Sequence, residues 1–142
     1  MLENRIPLRV ERRVLAKRRW RGQADDGTDF GFDLEAPLRD GICFHAEEDK
    51  KYIINQKPEA VLRVQYASKE EAASLAWQIG NLHFPAQFSD SYLLVEGDYA
   101  VRLMLERNQI PFEESNEVFQ PLVVASSHQH VSDKLLKYLN KW

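Results

Sequence analysis

Four histidines, His45, His83, His128 and His130, are the side chains of this 142-residue chain best suited to coordination chemistry. A neutral imidazole offers one nitrogen lone pair and suits nickel, copper and zinc. His45 lies in CFHAEEDKK, on the way into a polar turn, where a solvated histidine needs no special role. His83 falls in Gly80-Asn81-Leu82-His83-Phe84-Pro85, four residues after Ile79. If the helix expected before it runs that far, the ring continues an apolar face. Two outcomes then stay open: a core histidine satisfied by a backbone carbonyl, or a metal ligand on an apolar surface. One imidazole holds a metal poorly, but a symmetric dimer brings each surface residue near its own mate and so supplies two. His128 and His130 stand two apart in Ser127-His128-Gln129-His130, a spacing that shares one face only in extended chain. They read either as a solvated tail or as a chelating pair.

Other chemistries find little support. No glycine-flanked nucleophile elbow surrounds any serine, and there is neither a phosphate-cradling loop nor a dinucleotide fingerprint. Glu113, Glu114 and Glu117 fall on a stretch expected to be an exposed strand, and nothing pairs a general acid with a general base. Catalysis is therefore not expected. The lone Cys43 allows no internal disulfide and no multi-thiolate zinc site, which fits a reducing cytoplasm. No apolar run approaches the roughly 20 residues needed to cross a bilayer.

Charge is unevenly spread within the net −3. Residues 1–22 hold eight basic groups against Glu3 and Glu11, while the remaining 120 residues hold eleven basic and twenty acidic groups. A basic beginning of this kind can meet nucleic acid, the acidic loop 25–35, or an acidic partner. Nucleic acid is disfavoured, because Trp20 apart the nearby stacking aromatics that single strands require are missing.

The elements that must position the histidines are legible from periodicity. Residues 4–66 read as short strands with turns at Asp26-Gly27 and Asp40-Gly41, a small all-β unit of about six strands. The segment 60–66, AVLRVQY, alternates as a strand. Ser68 with Glu71 three residues on is a capping-box pattern, and Ala72, Leu75, Ala76 and Ile79 then mark one helix face. Two short apolar runs split by Ser89-Asp90 predict a hairpin, Asp98 caps a helix over 98–108, and 112–119 reads as a last strand. The order is β-α-β-β-α-β, a ferredoxin-like arrangement. The expected fold is therefore α+β, with domains at 1–66 and 67–142. In the tail, Val131, Leu135, Leu139 and Trp142 recur at helical spacing with Ser132 as a candidate cap, which predicts a short amphipathic helix.

GNLHFPAQ, following a helix, resembles the GNRHxPxQ signature of the UreE-type urease accessory proteins, the nickel metallochaperones. RVLAKRRWRGQADDGTDFGFDLEAPLRDG is similar to that family's strand, DDG turn and LRxGD run, and DYAVRLMLERNQIPFE to its DHVLxxML helix and following strand. The likeness covers roughly residues 9–121. It implies an N-terminal β domain of peptide-binding type, and a C-terminal domain dimerising around the signature histidine. It makes His83 the interfacial nickel ligand, supplemented by His128 and His130. It also implies Ni(II) as cargo, with zinc or copper able to occupy the same imidazoles in vitro, and a cytoplasmic homodimer. The implied role is nickel delivery to urease together with an accessory GTPase. A protein-interaction module with weak or lost metal binding is the alternative. Neither nucleic acid nor membrane is implied. Leu82 stands where the signature has Arg, Tyr99 replaces the histidine of DHVL, and a long His-rich tail is absent. Because only the neutral ring ligates, affinity is expected to fall as pH drops through about 6–7.

Overall fold

A computed structural model describes residues 4–122. The elements run β1 (Asn4–Val10), α1 (Arg12–Leu15), β2 (Arg19–Gln23), β3 (Asp29–Asp33), β4 (Cys43–Ala46), β5 (Lys50–Gln56), β6 (Glu59–Gln65), α2 (Lys69–Asn81), β7 (Ala86–Phe88), β8 (Tyr92–Glu96), α3 (Tyr99–Arg107) and β9 (Glu113–Glu117). The architecture is mixed α and β, with several sheets and few helices. It divides into two compact units, the first ending at Ala60 but reclaiming Asn116–Phe119, the second beginning at Val61.

In the first unit β1 and β5 pair in parallel and β4 joins β5 antiparallel, while β2 and β3 form a two-stranded ribbon. Period-2 alternation drives this: Ile6, Leu8 and Val10 from β1, with Tyr52 and Ile54 from β5, are buried together. Trp20 of the ribbon joins that cluster and stacks on Phe32, its directly opposed partner, with ring centroids 4.2 Å apart. Gly22 is required for this packing, since a Cβ there would lie 2.9 Å from the Trp20 ring and 3.0 Å from Leu8.

The expected all-β character needs one correction. Residues Arg12–Leu15 form a helical turn, with the Leu15 and Ala16 N–H groups donating to the Glu11 and Arg12 carbonyls. The expected boundary after 66 also differs from the observed division. Val61–Gln65 pair with β8, whereas Phe119 is fully buried in the first unit, where Gln56 Nε2 donates to its carbonyl at 2.7 Å. The Arg12 guanidinium lies over the Phe119 ring and makes a two-pronged pair with Glu59 at 2.8 and 2.9 Å. No local pattern announces a segment that returns from over 60 residues away. Much of the basic N-terminal segment meets carboxylates of its own unit: Arg9 pairs with Asp25 at 3.1 Å and Arg19 with Asp33 at 3.2 Å.

The second unit holds a four-stranded sheet in the order β7-β8-β6-β9. Leu62 and Val64 of β6 and Leu93 and Val95 of β8 form one core with Leu75 and Ile79 of α2 and Val101 and Leu105 of α3. The turn expected at Ser89-Asp90 closes β7 onto β8, with the Ser89 N–H donating to the Tyr92 carbonyl at 2.9 Å. Asp98 caps α3 by accepting the Ala100 N–H at 2.8 Å. The expected tail helix lies outside the described residues.

The Asp26-Gly27 turn carries a titratable staple. Asp26 Oδ1 accepts the Thr28 N–H at 3.0 Å and Oδ2 accepts the Tyr52 hydroxyl at 2.8 Å. The Thr28 amide first, and the Tyr52 hydroxyl second, hold the Asp26 carboxyl below its ordinary value of 3.8. A carboxylate with a lowered folded pKa adds stability that is full above its unfolded pKa, and that stability is lost as pH falls through the folded value. Asp26→Asn is therefore expected to lower the thermal midpoint at neutral pH. It should also show a smaller drop than the native chain on going to about pH 3. Parallel drops in both proteins would contradict the staple.

Candidate metal centre

The position of His83 follows from how α2 begins and ends. Ser68 Oγ accepts the Glu71 N–H at 3.1 Å, and Glu71 Oε2 reaches back to the Ala67 N–H at 2.8 Å. That start sets the phase in which Leu75 and Ile79 are buried and Trp77 stands 70% exposed. At the other end the His83 N–H donates to the Gly80 carbonyl at 3.0 Å and the Phe84 N–H to the Ile79 carbonyl at 3.4 Å. These two bonds are the Schellman termination, which needs a left-handed residue, and His83 supplies it at φ +62. A side chain there costs about 1–2 kcal/mol. Phe84, half-buried, packs on the core cluster that contains Ile79. It returns part of the about 1.5–3 kcal/mol that full burial of such a side chain gives, which offsets the left-handed cost. Pro85 follows and blocks further helix.

Left-handed geometry is not by itself the mark of a site here. Helix α3 ends the same way, with Gln109 at φ +55, its N–H on the Glu106 carbonyl at 3.1 Å and the Ile110 N–H on the Leu105 carbonyl at 2.9 Å. What distinguishes α2 is that the displayed residue is an imidazole.

Two sequence expectations change as a result. His83 does not continue the apolar face, because α2 stops at Asn81; nor is it a core histidine, because it is exposed. Leu82, in place of the signature Arg, is half-buried and packs against the core. The carbonyl end of a helix carries about half a negative charge and favours a nearby cation by about 0.3–1 kcal/mol. No basic side chain in the last turn of α2 competes for that field. Gly80 faces open space, with nothing within 4 Å of a built Cβ.

His45 lies exposed on β4, its Nε2 3.4 Å from Glu47 Oε1, and Cys43 is a free, exposed thiol. His128 and His130 lie outside the described residues. Among the described residues no three His, Cys, Asp or Glu side chains converge as a metal-binding group. One pairing near the turn has no signal in the sequence. Gln87 Oε1 accepts the Gln120 N–H at 2.8 Å, a pairing across 33 residues that no periodicity reports.

The termination motif makes a separable test of fold and chemistry. Glycine adopts the left-handed region freely, so His83→Gly is expected to be about 1 kcal/mol more stable than His83→Ala in denaturant unfolding. Equal stabilities would contradict the left-handed assignment.

Comparison with known proteins bears on what this geometry serves. Residues 59–137 match the family described as UreE urease accessory protein, C-terminal domain. The urease accessory protein UreE of Bacillus sp. (strain TB-90) is 30% identical over 136 residues, covering 91% of each chain. That of Staphylococcus aureus (strain Newman) is 31% identical over 123 residues, covering 85% of this chain and 82% of its own. That of Bacillus cereus (strain ATCC 10987 / NRS 248) is 27% identical over 124 residues, covering 86% and 82% respectively. With an exposed signature histidine at the end of α2 and likeness along most of its length, this chain belongs to the UreE urease accessory protein family.

Proposed function

We propose that this chain is a non-enzymatic metallochaperone that binds Ni(II) and delivers it during assembly of the urease active site. The observation that carries the reading is the exposed His83, held outward by the α2 termination. The proposed assembly is a cytoplasmic homodimer in which His83 of each copy contributes an imidazole to one ion. The exposed Trp77 and the open face at Gly80, both on the last turns of α2, suit the close approach of a second copy. His128 and His130 supplement the site. Leu122 N–H bonds to the Ala86 carbonyl at 3.1 Å, so the chain departs for His128 from a point only three residues past His83. Six residues span up to about 20 Å and three up to about 11 Å, so the tail histidines have the reach.

The chemistry suits transfer. Two imidazoles leave positions open for water or for an acceptor's ligands, whereas a closed four-ligand shell would trap the ion. Urease and an accessory GTPase are the proposed partners. Zinc and copper are the competing ions, because divalent affinity for nitrogen sites rises toward copper. The strand order β7-β8-β6-β9 around two helices supports a ferredoxin-like reading of the metal-binding unit. The first unit, with its aromatic ribbon, is the proposed partner-contact domain.

Calorimetric titration of Ni(II) into native protein and His83→Ala, with mass measured in solution, tests this. Native protein is expected to be dimeric, to bind about one ion per dimer, and to lose that site in the variant. A monomer, or affinity unchanged in His83→Ala, would overturn the nickel assignment and leave the protein-interaction module.

A further inference from the structure

Phe119 is the largest fully buried side chain among the described residues, yet it arrives on a segment that has left the first unit and come back. Only Asn116–Phe119 make the return; Ser115 before them and Gln120 after them belong to the second unit. The place that receives the ring is built where two parallel strands end, with Val10 of β1 opposite Gln56 of β5. There the Lys57 N–H donates to the Val10 carbonyl at 2.8 Å, and the Gln56 N–H to Asp40 Oδ1 at 2.8 Å. The Gln56 side chain is buried, and its Nε2 donates to the Phe119 carbonyl at 2.7 Å. The Arg12 guanidinium, 5.0 Å from the ring centroid, is held by the carboxylate of Glu59. A cation over the ring, a buried amide donor and full enclosure thus meet one aromatic residue together with its own peptide group.

We propose that Asn116–Phe119 form a latch that completes the first unit and releases it without opening the second. Release is costly to the first unit: a fully buried ring loses its contacts, and the buried Gln56 amide loses its acceptor. Both flanks of the segment stay pinned, Ser115 in β9 and the Gln120 N–H on Gln87 Oε1. The released piece is therefore a short loop, and closing a short loop again costs little entropy. The second unit keeps its own core, whose buried members do not include Phe119. Phe84 rests on that core, so the turn that displays His83 stays shut while the latch is open. This inference concerns the chain without metal and stands apart from the nickel reading.

Native-state amide hydrogen exchange on the full-length, metal-free chain tests this. Phe119→Ala is expected to speed exchange at Gln56, at Lys57 and along the β1–β5 pairing by on the order of a hundredfold. The His83 and Phe84 amides and those of β8 should keep their native rates. Gln56→Leu removes only the bond to the Phe119 carbonyl and serves where Phe119→Ala fails to fold. It should speed the same first-unit amides about tenfold and leave the second unit unchanged. Native rates along β1 and β5 in either variant would overturn the latch. Equal acceleration in both units would overturn it as well, because Phe119 would then be a member of one cooperative core.

Discussion

The display of His83 depends on the way α2 stops. Two backbone hydrogen bonds, His83 to the Gly80 carbonyl and Phe84 to the Ile79 carbonyl, turn the chain through a left-handed residue. Phe84 packs on the core, and Pro85 prevents the helix from resuming. A histidine one turn earlier, on the buried face with Leu75 and Ile79, would be consumed by packing. Displaced into the termination, the same side chain is free of the core yet fixed at its backbone. It also sits at the helix end whose field favours a cation. That combination suits the carrier role proposed above.

Everything around that turn serves to hold it. The Ser68 cap sets the phase of α2, the β6–β8 core sets its depth, and the short hairpin from β7 to β8 returns the chain immediately after Pro85. The same strand β7 meets the outgoing chain at Gln120 and Leu122. The strand after the turn and residues 120–122 are therefore joined by one backbone bond and one side-chain bond.

Much of this was legible in the residues, and the failures have a common cause. The capping box at Ser68, the hairpin at Ser89-Asp90, the Asp98 cap and the two φ-positive turn glycines, Gly27 and Gly41, are local signals, and they are found where the pattern places them. The apolar spacing of α2 located its buried face, but it could not say where the helix ends. A leftover period of four suggested that His83 shared that face, whereas the termination rotates it outward. The short turn α1 carries too few residues for any period to be read. The return of Phe119 to the first unit, and the Gln87–Gln120 bond, join residues far apart in sequence, and one chain's spacing holds no record of such pairs. Assignment of a metal to His83 came from the resemblance of GNLHFPAQ to a family signature, not from geometry.

The most direct measurement is the nickel-edge X-ray absorption spectrum of the loaded protein, compared with that of His83→Gly, in which glycine suits the left-handed position. Multiple-scattering features from at least two imidazoles are expected in the native spectrum, with their marked loss in the variant. An identical spectrum in both, or a native first shell without imidazole, would contradict the assignment of nickel to His83.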